Sequence, residues 1–84
     1  MELKDEAMAR LFELVASTLK VSLEKVNLDS GPSTLDGWDS FHHVHLMVAV
    51  EERYKIELDG DEIANMISVG DIARVLKERG VLAA

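Results

Sequence analysis

The chain contains no cysteine, so it can form neither a disulfide nor a cysteine-based nucleophile or metal site. It has one proline, five glycines and only 5% aromatic residues. A β-sandwich draws on turn residues and cross-strand aromatics, and this composition supplies few of either. Basic residues are also scarce. Nine Lys and Arg stand against sixteen Asp and Glu, a net charge of -7. That balance argues against nucleic acid and anionic membrane surfaces as partners. No run approaches the ~20 apolar residues of a membrane span. The N-terminal MELKDEAMARLFEL is charged and amphipathic, without the apolar core of a secretory leader. These absences lead to the expectation of a cytoplasmic chain, and the length to that of a single domain over residues 1–84.

Hydrophobic residues make up 48% of the 84 residues. This is enough for a packed interior and too much for a disordered chain. A domain of this size has little stability to spare and depends on apolar packing alone. The acidic surface suits basic protein partners, and it serves solubility equally well.

The helical period is clear over residues 3–19. Leu3, Ala7, Leu11, Leu14, Val15 and Thr18 share a side, with Met8, Phe12 and Leu19 beside them. Glu6 and Arg10 are spaced to pair on the solvent face. Residues 20–38 are irregular and rich in turn formers, and Ser22 could cap a short turn up to Val26. Val21, Leu23, Val26, Leu28 and Leu35 are expected to pin this long connection to the core. Connections of this length in small domains are usually functional or mobile.

A second helix is predicted over residues 40–54. Leu46, Met47, Val50 and Tyr54 form one stripe, with His43 in its middle. Phe41, Val44 and Val48 form a second apolar stripe. One stripe suffices to hold a helix to its own core, so the second suggests a contact surface or a pocket wall. His42, His45, Glu52 and Arg53 lie on the polar side. Residues 54–58 alternate polar and apolar types and fit strand or loop. Asp59-Gly60-Asp61 reads as a turn. A short third helix is expected over 61–67, with Ile63, Met66 and Ile67 inward. Ser68 then caps a fourth helix, with Asp71 at the reciprocal capping-box position and Gly80 as its left-handed stop. The fold class predicted is all-α: three main helices, one short one, and a long loop between the first two main helices.

Gly37-Trp38-Asp39-Ser40 ends the long loop and delivers one serine to the mouth of the second helix. The first N–H groups of a helix lack intrahelical partners, and the helix dipole is positive there. An anionic group on Ser40 would meet a favourable field. Asp39 is the natural N-cap by residue type. Asp-Ser before an apolar run is, by itself, an ordinary helix start. The longer string GWDSFHHVHLMVAVEERYKIEL, with the turn-rich loop before it and the capped last helix after it, resembles the acyl carrier protein family over about residues 3–80.

That resemblance implies a 4'-phosphopantetheine arm on Ser40, attached from coenzyme A by a phosphopantetheinyl transferase that uses magnesium. It implies that Asp39 and Gly37 serve the attachment site, Asp39 as helix cap and as part of the surface the transferase reads. It implies no catalytic residues and no resident metal. It further implies acyl-transferring or acyl-activating partner enzymes docking on Trp38, Phe41, His42, Val44, His45, Val48, Glu51 and Glu52. The chain departs from the family in three places. Phe41 stands where leucine is usual. No carboxylate occurs from Ser40 to Val50, where carriers for fatty-acid synthesis are acidic. His42 and His45 occupy positions that are usually acidic. These departures point to a specialised pathway, such as polyketide, peptide-like, modified-lipid or polysaccharide-precursor synthesis.

Two other readings use the same residues. A peptidyl or aminoacyl carrier would share the fold, but it usually has Gly-Gly-His/Asp-Ser-Leu where Gly37-Trp38-Asp39-Ser40-Phe41 stands. An unmodified helical interaction module would explain the acidity and the spare apolar stripe, but not the serine at the helix mouth. A serine enzyme fits poorly. His43 lies about 200° around the helix from Phe41, beside the serine, and points to the predicted core. Two imidazoles without further ligands rarely hold a metal.

Overall fold

The computed structural model describes residues 3–82, with side chains from Glu6 onward. Leu3 and the chain ends of the predicted domain lie outside the described side chains. The elements in order are α1 (Leu3–Leu19), a 3-10 turn (Leu23–Lys25), α2 (Ser40–Tyr54), α3 (Gly60–Asn65) and α4 (Val69–Glu78). Among the described residues there is no strand, and the all-α bundle follows the predicted order.

The helices form where the apolar period requires them. Leu11, Val15 and Leu19 of α1 meet Leu46, Met47 and Val50 of α2 and Val69, Ile72 and Leu76 of α4 in one buried core. Burial of each such side chain stabilises the fold by about 1.5–3 kcal/mol relative to exposure. Trp38 and Met66 complete the interior, both 2% exposed. Glu6 and Arg10 pair at 3.8 Å on the surface, where such a contact contributes little.

The helix ends are closed by different means. At α4 the Gly80 N–H donates to Lys77 O and the Val81 N–H to Leu76 O, each at 3.0 Å. Gly80 adopts φ 75°, so this is the paired-bond stop that glycine favours. The α1 and α2 ends use Lys20 (φ 60°) and Lys55 (φ 56°) in the same left-handed region. At α3 a full capping box joins Asp59 and Glu62. Residues 59–61, read from sequence as a turn, thus begin a helix, one residue earlier than expected. That helix also ends at Asn65, so the period does not carry through to residue 67. Ile67 accordingly points outward, 68% exposed, contrary to the inward placement expected for it.

The long loop is pinned at fewer positions than its leucines suggest. Val26 and Ser30 are buried, whereas Leu23 and Leu28 are about half exposed. Its anchor is backbone: Val69 N–H donates to Ser30 O at 2.8 Å, and Gly70 N–H to Leu28 O at 2.9 Å. The Ser30 hydroxyl accepts from Asn27 N–H at 2.9 Å and donates to Lys25 O at 3.2 Å. Gly31 makes this approach possible, because a Cβ there would lie 2.0 Å from Ile67 O. Ser22 precedes the 3-10 turn but makes no side-chain cap. Residues 56–58 run without a strand partner into the Asp59 cap, and the Leu58 N–H donates to Glu51 Oε2 at 2.7 Å.

Candidate functional site

The site is built where the pinned loop enters α2. Asp39 is the N-cap, extended in backbone, and its carboxylate accepts from His42 N–H at 2.9 Å. His43 N–H already reaches Asp39 O at 2.8 Å. The Ser40 and Phe41 N–H groups are therefore the ones left facing the helix mouth. Ser40 is the first residue of α2 and is exposed. Among the described residues no side chain or carbonyl engages its hydroxyl.

Asp39 Oδ1 lies 2.7 Å from His42 Nδ1. The His42 backbone N–H, then its ring, hold the Asp39 carboxyl below the usual carboxylate range. Phe41 stands between two imidazoles, edge-on to His42 at 5.4 Å and stacked with His45 at 6.5 Å between ring centroids. It is 74% exposed, and Val44 beyond it is 56% exposed. Val48, 45% exposed, continues the same outward stripe. With Ile67 from beyond α3, these residues leave apolar surface next to Ser40 that none of the other described residues covers.

Trp38 is placed differently from the expectation. It is buried, 2% exposed, and so lies beneath the surface on which it was expected. Its indole N–H donates to His43 Nδ1 at 2.9 Å. The opposite ring nitrogen of His43 lies 2.8 Å from Ile63 O. With Nδ1 accepting, Nε2 carries the proton and donates to that carbonyl. The loop, α2 and α3 are thereby tied through one imidazole. Sequence reasoning placed His43 toward the core with a hydrogen-bonding neighbour. Which neighbour it was depended on Ile63, twenty positions away.

Of the remaining residues singled out, Glu52 is exposed on α2 and Glu51 is half-buried. The Glu51 carboxylate is turned to the Leu58 N–H, which commits it to the loop after α2. Gly37 has φ 95° and makes the left-handed turn before Trp38 that a side chain would strain. Asp71 accepts from Ile67 N–H at 3.0 Å rather than closing a reciprocal box on Ser68, whose own hydroxyl accepts from Asp71 N–H at 3.1 Å. Beside Ser40 a cavity of about 300 Å³ opens between α2 and α3, lined by Ser40, His43 and Val44 on one side and Ala64, Met66 and Ile67 on the other. Sequence patterning suggested a pocket wall on α2 but could not supply the opposite wall. Among the described residues no group of three His, Asp or Glu side chains is placed to hold a metal ion. No helix among them is long and apolar enough to cross a membrane.

Comparison with known proteins adds an independent line. No family-level sequence profile matches the chain. Individual relatives do. An acyl carrier protein of Wolinella succinogenes is 34% identical over 65 residues, covering 77% of this chain and 86% of the relative. An acyl carrier protein of Rickettsia massiliae is 31% identical over 86 aligned positions, covering 94% and 92% of the two chains. One from Helicobacter acinonychis is 28% identical over 75 positions. Agreement at this level, spread across nearly the whole length of both chains and joined to an all-α bundle with the same element order that the GWDS resemblance implied, is beyond what a shared helix start would produce, and the chain belongs to the acyl carrier protein family.

Proposed function

We propose that this protein carries acyl intermediates as thioesters on a 4'-phosphopantetheine arm borne by Ser40, and presents them to partner enzymes of a specialised biosynthetic pathway. The observation that carries this reading is the Ser40 hydroxyl: exposed, without a partner among the described residues, at the first position of a fifteen-residue helix. The surroundings fit the group. The free N–H groups and helix dipole favour a phosphodiester there. The neighbouring Asp39 charge is turned to His42 rather than to the serine. The cavity between α2 and α3 gives room beside the attachment point. The arm supplies the thiol that this cysteine-free chain lacks.

The chain's own residues bind and present, and catalysis belongs to the partners. Asp39 and Gly37 shape the surface offered to a phosphopantetheinyl transferase. Phe41, Val44 and Val48 form the apolar part of the docking face, with His42, His45 and Glu52 around it. The absence of carboxylates between Ser40 and Val50 favours partners other than those that read an acidic second helix by lysine and arginine. We read residues 1–84 as one carrier domain, monomeric and cytoplasmic.

Intact-protein mass spectrometry tests the reading. The parent and a Ser40→Ala variant are incubated with coenzyme A, magnesium and a broad-specificity phosphopantetheinyl transferase. One phosphopantetheine mass is expected on the parent and none on the variant. A folded parent that gains no mass with several transferases would overturn the carrier role and leave an unmodified interaction module, for which the exposed Phe41 and Ile67 already provide a surface.

A further inference from the structure

We propose that Trp38 and His43 are positioning residues for the loading of Ser40: together they hold the junction of loop and α2 in the geometry that a phosphopantetheinyl transferase takes up. This role rests on the carrier reading above, in which Ser40 accepts the arm. In that step the Ser40 oxygen bonds to the phosphorus of coenzyme A that bears the pantetheine, and the phosphoanhydride bond breaks. Adenosine 3',5'-bisphosphate leaves, and the serine proton is taken up by the transferase.

Ser40 lies between two segments that are tied down by different means. On the helix side, Asp39 caps α2 through the His42 and His43 N–H groups. Those bonds stay within residues 39–43 and do not reach the loop before them. Among the described residues, a single hydrogen bond joins residues 20–38 to α2: the Trp38 indole N–H donates to His43 Nδ1 at 2.9 Å. It closes across the Ser40 turn. The two rings also stack, with centroids 6.0 Å apart and planes 24° from parallel. Trp38 is 2% exposed, and a buried donor that loses its partner is strongly disfavoured.

An indole only donates, so this bond needs a bare Nδ1 on His43. The α3 carbonyl of Ile63, 2.8 Å from Nε2, accepts the N–H on the other side of the ring and so selects that tautomer. Ile63 O thus orients the imidazole, the imidazole holds the indole, and the indole holds the backbone two residues before Ser40. Neither ring bonds to the Ser40 hydroxyl, so both act on loading through its placement. A transferase that grips this junction must order whatever is loose there. Freeing about one backbone residue amounts to about a tenfold loss of affinity, and the loss falls on docking rather than on chemistry.

The test follows the rate of loading against carrier concentration, with saturating coenzyme A and magnesium and a broad-specificity transferase. Circular dichroism first confirms that each variant is folded at the assay temperature. Trp38→Phe and His43→Ala are expected to raise the KM for the carrier about tenfold, with kcat held within about twofold. His43→Gln, whose amide can accept from Trp38 and donate to Ile63 O, should keep the parental KM. Ile72→Val, a mild loss of core packing in α4, controls for stability and should keep it too. A parental KM in folded Trp38→Phe, a His43→Gln as poor as His43→Ala, or an equal rise in Ile72→Val would overturn the inference while leaving the carrier role intact. If His43→Ala does not fold, Trp38→Phe and Ile72→Val still decide. A parent that does not load at all would overturn the carrier reading, and the positioning role with it.

Discussion

The two ends of α2 solve opposite problems. At its C-terminal end, polar groups satisfy one another. Glu51 holds the Leu58 N–H, Arg79 reaches Glu57 O at 2.7 Å and pairs with Glu62, and Asp59 with Glu62 caps α3. A cavity of about 470 Å³ lies there, walled partly by Glu6, Arg10 and Arg53 beside the half-buried Tyr54. It is the larger of the two, yet none of those side chains offers an attachment point. At the N-terminal end, Phe41, Val44 and Ile67 stand in water while Trp38, His43 and the loop carbonyls are tightly bonded beneath them. Exposure at this end does not come from loose packing. A rigid underside holds apolar groups and one free hydroxyl where local energetics alone would not keep them. The smaller cavity is the functional candidate because of the chemistry at its rim.

The sharpest way to break this contrast is through glycine. Gly31→Ala would drive a Cβ to 2.0 Å from Ile67 O, forcing the loop off α4. It is expected to cost about 3 kcal/mol or more, read as a fall in the urea midpoint. Gly60→Ala at the other end meets nothing within 4 Å and has no positive φ to preserve. It should stabilise by about 0.4–1 kcal/mol. If the two variants moved stability alike, the picture of a tight Ser40 end and an open far end would fail.

Trp38→Phe keeps a ring in the core but removes the donor to His43 Nδ1. Equilibrium unfolding should register a loss of about 2 kcal/mol, with the His43 ring signals broadened or shifted by NMR. A neutral outcome would mean that the relay beneath Ser40 is not a constraint.

Asp39→Ala removes the α2 cap and should lower Tm at pH 7. The sign of its pH dependence follows from the depressed Asp39 pKa. A carboxyl held lower in the folded state than in the unfolded one stabilises above the unfolded value and loses that contribution as acid protonates it. The gap between parent and variant should therefore be full at neutral pH and close below about pH 4. A gap that persists into acid would place the effect in packing rather than in the charged cap.

The smallest effect is expected at Lys55→Gly. Lys55 sits at φ 56°, where a Cβ is strained, and glycine relieves that at the expense of a more flexible unfolded chain. A net gain of about 0.5 kcal/mol should appear as a slight rise in Tm.

Much of this was readable from residue order. The α1 and α2 boundaries, the Asp39 and Ser68 caps and the Gly80 stop follow from period and local capping chemistry, because their partners lie within five residues. Legibility failed where partners are distant or where a helix stops early. Asp59-Gly60-Asp61 looked like a turn because Glu62, which completes the box, belongs to the helix it starts. Ile67 reads as inward only if the helical period runs past Asn65, where α3 ends. The burial of Trp38 is not legible locally, because its acceptor is the His43 ring and that ring is oriented by Ile63 O.

Sequence alone determined the helical class, the acidic surface, the serine at a helix mouth and the lack of any thiol of its own, since these depend on composition and short-range spacing. Only the tertiary structure decided that Trp38 is inside, that the loop is buttoned to α4 by backbone bonds, and that a cavity lined by both helix α2 and the exit of α3 lies beside Ser40. Those features arise from contacts between elements far apart along the chain, and such contacts exist only once the core has brought the elements together.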